Sequence, residues 1–195
     1  MKSLRIALVI GAFALFATPA LAQFEGPDSS QFLDAVQKRD GDKATQLLTD
    51  HPTVINSRDS KGDTGLIIAI RGGDHDWTAF LLNKGADPNA PGAGGDTPLI
   101  AAARANFGDA VGWLLGQGAK VDGTNKSGET ALIVAVQLRQ ARMVKDLLDA
   151  GANPDHTDAA AGYSARDYAQ RDPRARDILK LIETKKPKSS ANASN

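Results

Sequence analysis

The chain has 195 residues, and its 23 Lys and Arg balance 23 Asp and Glu, so the formal net charge is zero. This balance argues against a general electrostatic attraction to nucleic acid or to an anionic lipid surface. The sequence contains no cysteine, which excludes disulfides and thiol catalysis, so a domain of this length must be held together by packing.

Residues 1–22 are typical of a secretory signal peptide. The basic residues Lys2 and Arg5 precede a short uncharged apolar stretch, and the small residues Ala-Leu-Ala end at Ala22. The apolar stretch is shorter than the roughly twenty residues of a spanning helix, which makes a retained membrane anchor the less favoured alternative. We expect cleavage between Ala22 and Gln23 and export of the mature protein to the bacterial periplasm, with no membrane span.

Three stretches after this segment repeat nearly the same phrase. They read GDTGLIIAIRGGDHDWTAFLLNKGADPN from Gly62, GDTPLIAAARANFGDAVGWLLGQGAKVD from Gly95 and GETALIVAVQLRQARMVKDLLDAGANPD from Gly128. Their threonines, leucine pairs and closing glycines recur at one fixed period, which is also the spacing between the three starting glycines. A fixed period of this length indicates stacked supersecondary units.

The middle stretch shows what each unit builds. Thr97 is a favourable N-cap and Pro98 suits the first helical position, so a short helix is predicted to begin there. A second helix follows, in which the pair Leu114 and Leu115 belongs to a buried stripe, and Gly118 is expected to end it in a left-handed conformation. Glycines weaken this second helix, so we predict that the unit frays first.

This pattern resembles the ankyrin-repeat family, with Thr-Pro-Leu near the start of a unit and Leu-Leu-x-x-Gly-Ala-x-Pro-Asn at its end. The resemblance implies an all-α solenoid of about five stacked helix-turn-helix units with protruding hairpin-like loops. Ile67, Ile100 and Ile133 stand where the family has a histidine, so apolar packing must replace the usual hydrogen bonding. Arg139 stands at an inter-helix turn that is often glycine, where a left-handed conformation would strain it.

The flanks carry modified copies of the unit. The leucine pair at Leu47 stands one residue further from the next pair than the period requires, and Ser164 replaces the capping threonine after Gly162. Terminal units of a solenoid must present one polar side to water, so both copies are predicted to be caps. The expected organisation is a signal peptide (1–22), a repeat domain (23–184) and a disordered basic and polar tail (185–195); the repeat domain comprises an N-terminal cap (28–60), three complete repeats (61–93, 94–126 and 127–159) and a C-terminal cap (160–184).

Few residues suggest catalysis. His75 lies between Asp74 and Asp76, a trio that could touch a metal, although acidic residues at a helix start more simply compensate the helix dipole. The glycine-rich segment 91–96 lacks the lysine of a phosphate loop and is interpreted as a flexible loop tip. We therefore expect no enzymatic activity, no cofactor and no metal, and keep a small-molecule or metal-binding protein as the alternative function.

The resemblance implies that a partner protein binds on the concave surface and loop tips. We expect the protein by itself to be a monomer. Asp63, Asp96 and Glu129 precede the capping threonines, where they either compensate helix dipoles or contact the partner. Interface hot spots favour arginine, so Arg71 and Arg104 are expected to carry most of the binding, and alanine there to weaken binding without lowering the melting temperature. The candidate partner-binding residues are Ser60, Lys61, Asp63, Arg71, Ala93, Gly94, Asp96, Arg104, Lys126, Ser127, Glu129, Gln137 and Leu138.

The resemblance extends to one class of partner. Some exported bacterial ankyrin-repeat proteins that this chain resembles are associated with catalase or peroxide defence. It therefore suggests a catalase or another stress-defence protein as the partner.

Overall fold

The computed structural model describes residues 26–185. The predicted signal peptide with its cleavage site at Ala22 and Gln23, and all but the first residue of the predicted tail, lie outside these residues. In the described range the chain forms three short 3-10 helices and ten α-helices, and none of these helices is long and apolar enough to cross a membrane. The α-helices are α1 (Pro27–Lys38), α2 (Gly41–Asp50), α3 (Gly65–Arg71), α4 (His75–Asn83), α5 (Pro98–Arg104), α6 (Gly108–Gly116), α7 (Ala131–Gln137), α8 (Ala141–Asp149), α9 (Ala165–Arg171) and α10 (Arg176–Thr184).

The helices form five successive pairs, and the pairs stack in chain order. The first members, which we call the inner helices (α1, α3, α5, α7 and α9), pack in one row; of the second members, the outer helices, α4, α6, α8 and α10 pack in another. A single hydrophobic core runs through all pairs. The all-α solenoid predicted from the sequence is confirmed.

The predicted caps start the inner helices. Thr64, Thr97 and Thr130 each accept a hydrogen bond from the backbone N–H three residues on, at 3.3, 3.2 and 3.2 Å. Ser164 does the same for α9 and completes a reciprocal capping box with Asp167. Each inner helix that follows one of these caps therefore begins at a fixed point of its repeat.

The isoleucines that replace the family's histidine are fully buried. Ile67, Ile100 and Ile133 are each 0% exposed and belong to the common core. Apolar packing occupies these positions, as the sequence predicts.

In the first four helix pairs the turn between the two helices contains a left-handed residue, and Arg139 is one of them, as anticipated. Arg139 contacts Asp172 at 3.2 Å, and Arg39 contacts Asp74 at 2.9 Å. Each aspartate caps a helix start in the following repeat, so the ion pair links neighbouring repeats where the backbone is strained. The left-handed residues of these four turns are Arg39, Gly73, Asn106 and Arg139.

A second periodic contact sets the spacing of the loops. Asn56, Asn89 and Asp122 stand one period apart, and each side chain accepts a hydrogen bond of 2.8–2.9 Å from a backbone N–H of the next repeat. Each bond satisfies a loop donor and ties it to the preceding repeat. The period was visible in the sequence, but the contact between repeats was not.

Candidate protein-binding face

Five charged side chains form a continuous series of ion pairs beside the inner helices. Asp63, Asp96 and Glu129 each directly precede a capping threonine, and Arg71 and Arg104 end α3 and α5. Each arginine contacts the acidic residue of its own repeat and that of the next repeat. We call these five residues the ladder.

Arg104 makes close contacts with the acidic residues of two repeats. Arg104 Nε lies 2.8 Å from Asp96 Oδ2, and Arg104 Nη2 lies 2.7 Å from Glu129 Oε2. Arg71 contacts Asp63 closely and lies 3.9 Å from Asp96. The ladder thus joins three repeats through their side chains.

The carboxylates of the ladder are more buried than its arginines. Asp63 is 4% and Asp96 7% exposed, and both accept further hydrogen bonds, from Ala93 N at 2.7 Å and from Asn125 Nδ2 at 2.9 Å. Burial disfavours the charged form of Arg104, but hydrogen bonds and charges from Asp96 and Glu129 outweigh it and raise the pKa of Arg104. The ladder is therefore a hydrogen-bonded network in which two guanidinium groups partner three carboxylates.

This pairing corrects one expectation about Arg71 and Arg104. From the sequence, both arginines are expected to contact only the partner, so that alanine could replace them without loss of stability. In the structure their guanidinium groups neutralise buried carboxylates, so removing them leaves Asp63 or Asp96 with fewer partners. The melting temperature of the alanine variants should therefore fall. Part of each guanidinium is already paired with a carboxylate of the same protein.

Different residue types occupy the ladder positions after Glu129. Gln137 stands at the end of α7 where α3 and α5 have arginine, and Tyr163 stands before Ser164 where earlier repeats have an acidic residue. Arg171 ends α9, and its guanidinium carbon lies 3.9 Å from the centroid of the Tyr163 ring. A cation–π contact thus replaces the ion pair at the equivalent pair of positions.

The tyrosine that contacts this arginine packs against a second tyrosine. The Tyr163 and Tyr168 rings meet edge to face with centroids 5.6 Å apart. Tyr168 donates its hydroxyl proton to Asp158 at 2.6 Å, and the buried Asp158 also accepts from the backbone of Ala161 and Gly162. These contacts hold the ring of Tyr168 in one place.

The pKa values of this pair follow from the same contacts. Burial alone would raise the pKa of Asp158, but hydrogen bonds from Tyr168 and from three backbone groups lower it overall. The bond to Asp158 raises the pKa of the Tyr168 hydroxyl, and burial adds to that shift. The hydrogen bond is therefore made in the state where Asp158 is charged and Tyr168 neutral.

An exposed leucine lies on the inner helix row next to α9. Leu138 directly follows Gln137 at the end of α7, the inner helix that packs against α9, and it is 48% exposed. We call Leu138, Tyr163, Tyr168 and Arg171 the C-terminal patch. The sequence singled out Leu138 but missed the other three residues.

A one-residue change in the repeat period hid Tyr163 and Arg171 in the sequence pattern. Ser164 lies one residue further from Thr130 than the period requires, and Arg171 keeps the same offset from Gln137. When that offset is applied, Tyr163 and Arg171 align with the ladder positions. Both are residue types that are enriched at interface hot spots.

The remaining candidate residues lie in the loops between repeats. Gly94 and Lys126 belong to successive loops joined by a 3.3 Å hydrogen bond from Lys126 N to Gly94 O. A Cβ on Gly92 would collide with the Asp63 carboxylate, and one on Gly95 would collide with Lys126. The segment predicted to be a flexible tip is thus packed against both neighbouring repeats. The candidate loop residues are Ser60, Lys61, Ala93, Gly94, Lys126 and Ser127, of which all but Ala93 are exposed.

The outer helices carry a different cluster around His75. Its Nε2 atom lies 3.2 Å from Asp109 Oδ2, and its ring packs on Phe107 at 4.5 Å between centroids. Asp74 caps α4 through Trp77 N and pairs with an arginine of the preceding repeat. Among residues 26–185, no group of three His, Asp or Glu side chains could hold a metal ion, so the geometry gives the metal-binding alternative no support.

Comparison with known proteins agrees with the fold. A family model described as ankyrin repeats (3 copies) matches residues 32–125 and 91–158, which together exceed half of the chain. The chain therefore belongs to the ankyrin-repeat family. No curated protein sequence matches it. Ankyrin repeats generally mediate protein–protein interaction, and proteins of this family are typically non-catalytic scaffolds.

Proposed function

We propose that this protein is a non-catalytic periplasmic scaffold that binds a partner protein along its inner helices and loop tips. The observation that carries the proposal is the C-terminal patch, which combines an exposed leucine at the end of α7 with two tyrosines and an arginine at the neighbouring inner helix α9. Aromatic residues and arginine are enriched at interface hot spots. The ladder keeps the neighbouring inner helices in register and thereby preorganises this face.

The proposal places the mature protein in the periplasm and links it to stress defence. The basic, apolar and small-residue order of residues 1–22 supports export, with a mature chain that starts at Gln23. Resemblance to exported bacterial ankyrin-repeat proteins associated with catalase supports a catalase or another peroxide-defence protein as the partner. Recovery of the periplasmic fraction and mass determination of its N-terminus test the location.

Photo-crosslinking in intact cells tests which face binds the partner. Leu138 and Trp113 are the two large apolar residues of the described chain that are exposed, at 48% and 36%. Leu138 directly follows the inner helix α7, whereas Trp113 lies on the outer helix α6. A photoreactive phenylalanine analogue at Leu138 should crosslink a discrete partner, whereas the same analogue at Trp113 should not.

Crosslinks from Trp113 alone would contradict the proposed binding face. The mass-spectrometric identity of the Leu138 product decides the stress-defence assignment, because a catalase or another peroxide-defence protein is the expected product.

A further inference from the structure

We propose that the partner presents a carboxylate to Arg171, with an apolar side chain nearby that packs on Leu138. This inference rests on the proposed function and names the chemistry of the bound segment. It follows from the different surroundings of the three arginines that end inner helices.

Two of these arginines already have carboxylate partners. Arg71 and Arg104 each contact two acidic residues of the ladder. None of the ion pairs among residues 26–185 includes Arg171. The nearby carboxylate of Asp167 accepts hydrogen bonds from Ser164 N and Oγ at 2.9 and 2.6 Å instead.

The stacking of Arg171 leaves its hydrogen-bond donors available. The guanidinium is 3.9 Å from the Tyr163 ring centroid, and a planar group that stacks through its face keeps its N–H groups directed outward at its edges. Two such N–H groups match the two oxygens of a carboxylate. Of the two tyrosine hydroxyls in the patch, that of Tyr168 is already hydrogen-bonded to Asp158. Among residues 26–185 no carboxylate forms an ion pair with Arg171, so its donors are available to a carboxylate of a partner.

The position of Leu138 adds an apolar requirement. Arg171 and Gln137 occupy equivalent positions in neighbouring repeats, and Leu138 directly follows Gln137. Neighbouring helices lie roughly 8–10 Å apart, so the acidic and apolar side chains of the partner must be separated by about that distance. In an extended segment, at about 3.3 Å per residue, this spacing corresponds to about three residues.

A random peptide library provides a defined probe. Twelve-residue peptides displayed on phage are selected on the full mature chain, and the strongest binder is synthesised for fluorescence anisotropy. Selected sequences should share an Asp or Glu about three residues from a large apolar residue. Changing that acidic residue to its amide should weaken binding about tenfold or more, because a charge-assisted pair is lost.

Variants of the protein assign this loss to one residue. Arg171→Gln should weaken binding about tenfold, and the acidic-to-amide change in the peptide should have little further effect on that variant. Arg171→Lys should restore only part of the affinity, because lysine reproduces neither the stacking nor the paired donors. Arg176→Gln is the matched control: it removes the same charge from an exposed position on α10 and should leave binding unchanged.

Three results would overturn the inference. They are selected peptides without an acidic residue, equal affinity for the wild-type protein and Arg171→Gln, and failure to select any peptide. Crosslinks from Leu138 in cells would still support the proposed function in each case, so the two ideas fail separately. Equal melting temperatures of Arg171→Gln and Arg176→Gln would show that a loss of binding does not come from unfolding.

Discussion

At the scale of single residues, Thr78 is a buried polar group in an apolar position. It is 0% exposed, and its hydroxyl has no hydrogen-bond partner among the described residues. The equivalent positions of the next two repeats hold Val111 and Val144, both in the core. A buried unsatisfied hydroxyl costs about 1–3 kcal/mol, so the residue weakens a repeat that otherwise follows the pattern.

Thr78→Val should raise the free energy of unfolding by about 1–2 kcal/mol, because valine keeps the shape and removes the unsatisfied group. Urea unfolding followed by circular dichroism measures the change. The reciprocal change Val111→Thr should destabilise by a similar amount. A neutral or destabilising Thr78→Val would mean that the hydroxyl has a partner.

Arg104 tests the ladder at the same scale. Arg104→Ala should lower the free energy of unfolding by about 1–2 kcal/mol, a loss reduced from that of a fully buried pair because the arginine is half exposed. Thermal and urea unfolding give the value, and Arg142→Ala, at an exposed arginine outside the ion pairs, should change it by less than about 0.5 kcal/mol. Equal effects of the two substitutions would remove the ladder as a source of stability.

At the scale of elements, α6 is the outer helix with the least local support. Its N-cap Phe107 makes no side-chain capping bond, and glycine occupies positions 108, 112 and 116. A Cβ at any of these three positions would meet nothing within 4 Å. The expectation from the sequence that this repeat frays first stays a prediction.

Gly112→Ala should stabilise the protein by about 0.5–1 kcal/mol and slow amide exchange in α6, because alanine lowers the entropy cost of the helix. Hydrogen exchange and urea unfolding measure both effects. Gly92→Ala is the contrast, since its Cβ would collide with the Asp63 carboxylate, and it should destabilise. Exchange in wild-type α6 as slow as in α4 and α8 would contradict the fraying prediction.

The last helix pair should be the acid-sensitive element. Hydrogen bonds from Arg174 lower the pKa of Asp172 to about 2, and the pKa of Asp158 is lowered as well. A lowered pKa in the folded state contributes stability that is present above the ordinary value of 3.8 and is lost as the pH falls towards 2. Stability should therefore decrease between about pH 4 and pH 2.

Asp158→Asn should flatten this decrease, because the variant lacks one of the carboxylates that becomes protonated. Urea unfolding at about pH 5 and about pH 2.5 measures the difference in stability for each protein. Asp50→Asn, at an exposed aspartate outside the ion pairs, should keep the wild-type difference. The same difference in Asp158→Asn as in wild type would show that the Asp158–Tyr168 contact is not linked to folding.

The sequence predicted the helices more completely than it predicted the contacts between repeats. Caps such as Thr97 act within a few residues, so spacing alone locates the helix starts. The pairing of Asp96 with Arg104 spans a whole inner helix, and its extension to Glu129 depends on how repeats stack, which a pattern in one repeat does not contain. The alignment of Arg171 with the arginines of the ladder was hidden by a one-residue insertion before α9.

At the scale of the whole molecule, the two sides of the stack carry different sets of side chains. The side of the inner helices carries the ladder and the C-terminal patch, whereas the outer helices carry the His75 cluster and Trp113. A rigid repeat array lowers the entropy cost of binding because the face is already ordered. We therefore expect the partner to cover one side of the array.

The most direct measurement is hydrogen–deuterium exchange of the mature protein with and without the partner identified by crosslinking at Leu138. Amides around Leu138 and along α9 should become protected, whereas those of α6 and α8 should exchange at the same rate in both samples. Protection confined to α6 and α8, with no change around Leu138 or along α9, would contradict the assignment of the binding face.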